Sequence, residues 1–153
     1  MAENWGFYGR RIEIEDVHQV LSSGRWFFCS ISGRRRIGKT TLIREAMRDD
    51  ARRTVYVQIP DSDERGVIQA FRDALEDAYP DETFDEVHDF ADMASAIETL
   101  CRNDCVVVLD EFQYFHRKAL SAFTSFLQAR VDRLRDTRMG GLFVLGSIHT
   151  EMT

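Results

Sequence analysis

The feature that most constrains the fold is GRRRIGKT at residues 33–40. It follows the pattern G-x-x-x-x-G-K-[ST], in which the backbone N–H groups of a glycine-rich loop surround phosphate groups. Gly33 and Gly38 allow backbone angles and a close approach that a side chain would block. The pattern predicts that Lys39 binds the β- and γ-phosphates of a nucleotide and that the Thr40 hydroxyl ligates Mg²⁺.

The residues on either side supply the strand and the helix that such a loop needs. Residues 26–31 are a short apolar run, which predicts a buried strand. Residues 41–47 continue as an amphipathic helix, and a helix N-terminus favours an anion. This context disfavours the alternative, an arginine-rich surface turn. The predicted nucleotide contacts are Gly33, Arg34, Arg35, Arg36, Ile37, Gly38, Lys39, Thr40 and Thr41.

A second informative stretch is CVVVLDE at residues 105–111. Its continuous run of β-branched residues predicts a strand that is buried on both faces, as in a parallel sheet. Asp110 and Glu111 follow the strand, where ligands of open α/β sheets bind. Asp110 is predicted to hold Mg²⁺ through water, and Glu111 to take a proton from the attacking water or to orient it. A charged turn after a strand is the alternative, and the phosphate-binding loop upstream favours the catalytic interpretation.

Further segments show the apolar period of a strand or of a helix. Strands are predicted over residues 53–59 and 141–147, and amphipathic helices over residues 64–79, 90–101 and 118–134. Helices that alternate with buried strands predict an α/β fold around a parallel sheet.

Two segments have two interpretations each. Ser147 ends the last predicted strand, where its hydroxyl could touch the γ-phosphate or the lytic water, although serine after a strand is more often a cap or turn residue. The aromatic and glycine-containing residues 5–11 precede a helix predicted over residues 12–23. They can form one wall of a nucleotide-base pocket or a strap that packs on the core.

Composition limits the class of protein. The 153 residues carry a net charge of −6 and contain no apolar run of membrane-spanning length. The N-terminus lacks the features of a signal peptide, so we expect a cytoplasmic protein with one domain over residues 1–153. No nucleic-acid-binding motif is seen. The three cysteines lack the spacing of a metal site, which predicts buried free thiols: Cys29, Cys101 and Cys105.

Four blocks resemble, in order and spacing, the archaeal-type ATPases of the AAA+/STAND group. The blocks are FYGRR with Glu13, GRRRIGKTTLI, VVVLDEFQYF and LFVLGSIHTEM. The resemblance implies a three-layer α/β P-loop NTPase domain whose parallel strands, in the family's numbering, lie in the order 5-1-4-3-2. It also implies ATP and Mg²⁺ as ligands, and it implies Walker B roles for Asp110 and Glu111 and a sensor 1 role for Ser147.

The resemblance also favours a binding role for the N-terminal segment. The family's F-x-G-R-x-x-E element lines the adenine pocket, and here it places Phe7, Gly9 and Arg10 at the base. The residues after Ser147 depart from the family pattern, and its fifth strand and helical lid, with the arginine finger, have no counterpart. We therefore expect a truncated or minimal module without strand 5. Since an arginine finger contributes about 10³–10⁵ in rate, we expect slow hydrolysis by this chain alone.

Two functions of different class follow. The first is a Mg²⁺-dependent ATPase in which Glu111, Lys39 and Ser147 are catalytic. The second is a nucleotide-gated switch of a STAND-type regulator, in which ATP or ADP sets self-association or assembly with a protein partner. A small-molecule phosphotransferase fits less well, because the acid pair supplies a base for water and no second substrate pocket is evident.

Overall fold

A parallel sheet runs through the part of the chain that the computed structural model describes, residues 10–11, 16–33, 38–84 and 86–147. Its spatial strand order is β1-β2-β5-β4-β3. The strands are β1 (Arg10–Arg11), β2 (Phe27–Gly33), β3 (Thr54–Gln58), β4 (Val106–Asp110) and β5 (Gly141–Ser147). The predicted strands are all present, and the order β2-β5-β4-β3 is the 1-4-3-2 arrangement that the resemblance implies.

The short strand β1 was not predicted. Arg10 pairs with Cys29 and Arg11 pairs with Ser30, so β1 runs parallel to β2 on the side away from β5. The family order places strand 5 on this flank. Since an unpaired strand edge leaves backbone N–H and C=O groups without partners, pairing with β1 satisfies part of the β2 edge.

Helices cover the sheet on two faces and make the three layers. They are α1 (Val17–Leu21), α2 (Lys39–Arg48), α3 (Glu64–Ala78), α4 (Phe90–Arg102) and α5 (Ala122–Leu134). Side chains of β4 alternate between the faces: Val106 and Val108 pack with α1 and α2, whereas Val107 and Leu109 pack with α3, α4 and α5. None of the described helices is long and apolar enough to cross a bilayer.

The helix predicted over residues 118–134 begins later than expected. Two 3₁₀ turns (Phe112–His116 and Lys118–Leu120) come first, and α5 starts at Ala122. The Ser121 hydroxyl donates to the carbonyl of Lys118 at 3.1 Å, and the Thr124 hydroxyl donates to the carbonyl of Ser121 at 2.8 Å. Such local bonds compete with regular helical ones, which explains the shorter helix.

Other predicted features agree with the structure. The three cysteines are buried thiols outside any disulfide of the described residues, as predicted: Cys29, Cys101 and Cys105. Burial raises the pKa of the Cys101 thiol to about 12. Helix α1 lies inside the segment predicted to be helical over residues 12–23, of which residues 12–15 lie outside the described part.

A buried glutamate joins α4 to α5. Glu98 accepts hydrogen bonds from Arg102 Nε and from Arg130 Nη1, each at 3.0 Å. Burial by itself would raise the pKa of Glu98, but the hydrogen bonds from Arg130 and Arg102 prevail and lower it. The carboxylate is therefore more stable in the folded than in the unfolded chain.

We predict that Glu98→Gln lowers the free energy of unfolding by about 1–3 kcal/mol near neutral pH, because two charge-assisted hydrogen bonds are lost. Urea unfolding measures the change. Since the folded-state pKa is lowered, the wild-type advantage is present above the ordinary glutamate value of 4.5 and disappears as the pH falls through the folded-state value.

The matched control is Glu76→Gln, at an exposed position of α3. It should change the free energy of unfolding by no more than about 0.5 kcal/mol. Equal losses from the two substitutions would contradict a specific role for Glu98.

Candidate functional site

The strands that lead to the three predicted site segments, β2, β4 and β5, end at the same edge of the sheet. Gly33, at the end of β2, pairs with Ser147 at the end of β5, and Asp110, at the end of β4, pairs with Gln58 of β3. Because all strands are parallel, their carboxyl ends meet at one edge, where ligands of such sheets bind.

The helix that follows the glycine-rich loop begins at this edge. Gly38 has φ 72° and ψ 32°, a left-handed conformation that favours glycine, and it directly precedes α2. As the N-cap residue, Gly38 has no side chain that could accept a hydrogen bond from the first turn of α2. Backbone N–H groups of that turn are therefore suited to an anion at the helix N-terminus.

Several predicted contacts cannot be placed. Phe7, Gly9 and residues 34–37 lie outside the described residues, and so do the side chains of Arg10, Lys39 and Ser147. Their proposed roles stay predictions.

Thr40 and Asp110 are brought into direct contact. The Thr40 hydroxyl donates to Asp110 Oδ2 at 2.5 Å, which joins the first turn of α2 to the end of β4. Asp110 is 6% exposed. Since the threonine proton points to the carboxylate, the lone pairs of Oγ1 remain available to a cation. Hydroxyl and carboxylate oxygens are the ligands that Mg²⁺ prefers, so this pair fits the predicted metal.

Tyr56, which sequence reasoning missed, belongs to the same cluster. Its hydroxyl donates to Asp110 Oδ2, and the hydroxyl oxygen lies 3.4 Å from Thr40 Oγ1. Burial, followed by the hydrogen bond to the carboxylate, raises the pKa of Tyr56 to about 12, so the phenol stays a donor near neutral pH. The available signal was a tyrosine two residues before the end of a strand adjacent to β4.

Glu111 has an unusual backbone and a different environment from Asp110. Its φ of 60° and ψ of 38° are left-handed, which costs a residue with a side chain about 1–2 kcal/mol. The Glu111 N–H donates to Asp110 Oδ1 at 2.8 Å, and Gln113 Nε2 donates to Glu111 Oε1 at 2.7 Å. The Glu111 carboxylate is only partly buried, so water can reach it.

Comparison with known protein families identifies the family of the chain. Residues 27–147, which include β2, α2 and β4, match the model of the AAA domain. The chain belongs to the AAA domain family. This AAA domain is an ATP-binding P-loop domain, as predicted. The finer assignment to the STAND group and the domain boundaries at residues 1 and 153 stay predictions.

A solved structure supports the fold of the AAA domain. The chain is similar to the ORC2 protein of Aeropyrum pernix, determined in ADPNP–ADP complexes, with a TM-score of 0.58 and 17% sequence identity. The match covers 88% of this chain and 40% of the ORC2 chain, so this chain corresponds to well under half of the length of that protein. No curated protein matches the sequence.

The backbone of Glu111 gives a prediction that is independent of ligands. Glu111→Ala and Glu111→Gly both remove the carboxylate, but only glycine adopts a positive φ without strain. We expect the glycine variant to exceed the alanine variant by about 1 kcal/mol in free energy of unfolding.

The same pair of substitutions at Glu76, inside α3, should rank in the opposite order, because glycine in a helix costs about 0.5–1 kcal/mol relative to alanine. Urea unfolding of the four variants measures both differences. An alanine variant that is the more stable at position 111 would contradict the left-handed conformation.

Proposed function

We propose that this AAA domain binds ATP together with Mg²⁺ at the edge formed by the glycine-rich loop, α2 and β4, and that it hydrolyses ATP slowly. The observation that carries the proposal is the hydrogen bond between Thr40 and Asp110. It joins the hydroxyl predicted to bind the metal to the carboxylate predicted to hold it. This contact between two sequence motifs that are far apart in the chain supports a single site.

The binding roles follow from charge and position. Lys39 lies in the first turn of α2, where its ammonium group would bind the β- and γ-phosphates. Thr40 Oγ1 would ligate Mg²⁺, and Asp110 would orient that hydroxyl and hold the ion through water. When bound, Mg²⁺ neutralises phosphate charge. Residues 33–41 would supply backbone N–H groups to the phosphates.

Glu111 is the proposed general base. It follows Asp110 at the strand end and is partly exposed, so its carboxylate can accept a proton from water. The hydrogen bond from Gln113 engages Oε1, which leaves Oε2 as the oxygen for this role among the contacts of the described residues. Ser147, at the end of β5, would contact the γ-phosphate from the neighbouring strand.

Other parts of the proposal concern the adenine, the rate of turnover and the assembly. Strand β1 pairs Arg10 with Cys29 of β2, the strand that leads to the phosphate-binding loop. This proximity supports the assignment of Phe7, Gly9 and Arg10 to the adenine. Slow turnover is expected until an arginine neutralises the transition state. Cytoplasmic localisation, and self-association or a protein partner governed by ATP and ADP, complete the proposal.

Lys39→Ala tests nucleotide binding. We expect the dissociation constant for a fluorescent ATP analogue to rise roughly 10–100-fold, because a hydrogen bond to a charged group contributes about 1.5–3 kcal/mol. The sequence offers a matched control, since its only other lysine is Lys118, which is exposed. Lys118→Ala should bind like the wild type, and equal affinity of all three proteins would refute the loop assignment.

Glu111→Gln separates turnover from binding. Loss of a general base should lower phosphate release by about 10²–10⁴-fold, while the affinity for the ATP analogue stays within a few-fold of the wild type. Phosphate release and equilibrium binding are measured on the same preparations. Glu45→Gln, at an exposed position of α2, is the control and should leave both unchanged. A wild-type chain that binds ATP and releases no phosphate would favour the nucleotide-gated switch.

A further inference from the structure

We propose that Tyr56 is a positioning residue of the metal site, which fixes the Asp110 carboxylate through its phenol hydroxyl and thereby couples Mg²⁺ to nucleotide binding. This inference rests on the proposed function. It concerns a strand, β3, that neither sequence motif includes.

The first argument is the set of hydrogen-bond donors around Asp110. Among the described residues, Oδ2 accepts from the hydroxyls of Thr40 and Tyr56, and Oδ1 accepts from the N–H of Glu111. The donors come from α2, from β3 and from the residue after β4. A carboxylate that is held from three directions has little freedom to rotate.

The second argument is a count of acceptor positions. The two oxygens of an ionised carboxylate offer about four such positions. Thr40 and Tyr56 fill both positions of Oδ2, and the Glu111 N–H fills one of Oδ1. The described donors therefore leave one position, on Oδ1, for a further partner. Removal of the Tyr56 hydroxyl would open a second position and release one constraint on rotation.

The third argument is that Tyr56 is itself held in place. Tyr56 pairs with Val108 of β4, two residues before Asp110. Since residues two apart in a strand point to the same face of the sheet, the side chains of Tyr56 and Asp110 lie on one face. The guanidinium of Arg44 lies 4.4 Å from the centre of the tyrosine ring. Arg44 and Thr40 are four residues apart on α2 and therefore share a helix face. Two residues of α2 thus approach Tyr56: Arg44 contacts the ring, and Thr40 lies near the hydroxyl.

Loss of the Tyr56 hydroxyl should weaken the effect of Mg²⁺ on nucleotide affinity and leave the affinity without the metal unchanged. Partners that hydrogen-bond metal-site ligands typically contribute 10–100-fold to metal affinity. Tyr56→Phe keeps the ring and its contact with Arg44 and deletes only the hydroxyl. It should therefore act on Asp110 and the adjacent Thr40 hydroxyl without removing the packing of the ring.

The experiment compares the affinity of the full chain for ADP in excess Mg²⁺ with its affinity in EDTA. The dissociation constant in EDTA divided by the dissociation constant in Mg²⁺ reports how strongly the metal enhances nucleotide binding. We expect Tyr56→Phe to leave the EDTA value unchanged and to reduce the ratio about 10-fold. Thermal unfolding in EDTA checks that the variant is folded.

A matched control is available in Tyr79. This tyrosine is also partly buried, and its ring lies 4.5 Å from the guanidinium of Arg53. Burial raises its pKa as well. Tyr79 follows α3, and no hydrogen bond to Asp110 is seen for it among the described residues. Tyr79→Phe should keep the wild-type ratio, because the loss of a phenol hydroxyl at another partly buried position does not act on Asp110.

The outcomes are distinguishable. An unchanged ratio in Tyr56→Phe, or equal reductions in both tyrosine variants, would overturn the role of Tyr56 and leave the proposed function intact. A wild-type chain that binds no ADP, or binds it equally with and without Mg²⁺, would overturn the proposed site and this inference with it. If Tyr56→Phe fails to fold, Arg44→Met takes its place: a reduced ratio supports the proposal and an unchanged one overturns it.

Discussion

The arrangement of this site depends on the solvation of one buried carboxylate. Burial of the Asp110 side chain in the sheet edge would be costly without hydrogen-bond donors. The donors are the hydroxyls of Thr40 and Tyr56 and the N–H of Glu111. Each belongs to a different segment, so the interaction that makes the buried charge tolerable also holds α2, β3 and the end of β4 in register. The requirements of folding and those of the proposed metal site are therefore met by the same atoms.

The strand order explains how distant segments reach that carboxylate. Strand β5, the last of the described strands in sequence, lies between β2 and β4, so the helix α2 that leaves β2 must cross over β5 and β4 to reach β3. Its first turn thereby lies next to the end of β4, and its next turn faces the ring of Tyr56. A parallel sheet with helical crossovers places all these ends at one edge. The position of the proposed site is thus a consequence of the topology, and the motif residues would supply its chemistry.

The sequence predicts those parts of the fold that depend on local patterns. The β-branched run before Asp110 and the glycine-rich loop were enough to predict β4, α2 and the meeting of Thr40 with Asp110. Tyr56 was missed because its importance depends on which residue of β3 lies opposite β4, and a strand's own pattern does not reveal its register with a neighbour. The start of α5 was wrong for a different reason, since the hydroxyls of Ser121 and Thr124 bond to nearby carbonyls where a period of apolar residues predicts continuous helix.

The left-handed backbone of Glu111 explains how two adjacent acids can have different tasks. In an extended strand, neighbouring side chains simply point to opposite faces of the sheet, and both can be buried. Here the chain leaves the strand at Glu111, so Asp110 stays buried among three donors while Glu111 stays partly exposed and accepts from Gln113. The conformational cost of about 1–2 kcal/mol is of the same order as the contribution of two hydrogen bonds at this turn. A buried acid suits the orientation of a metal ligand and a partly exposed one suits exchange of a proton with water, so the turn itself separates the two proposed roles.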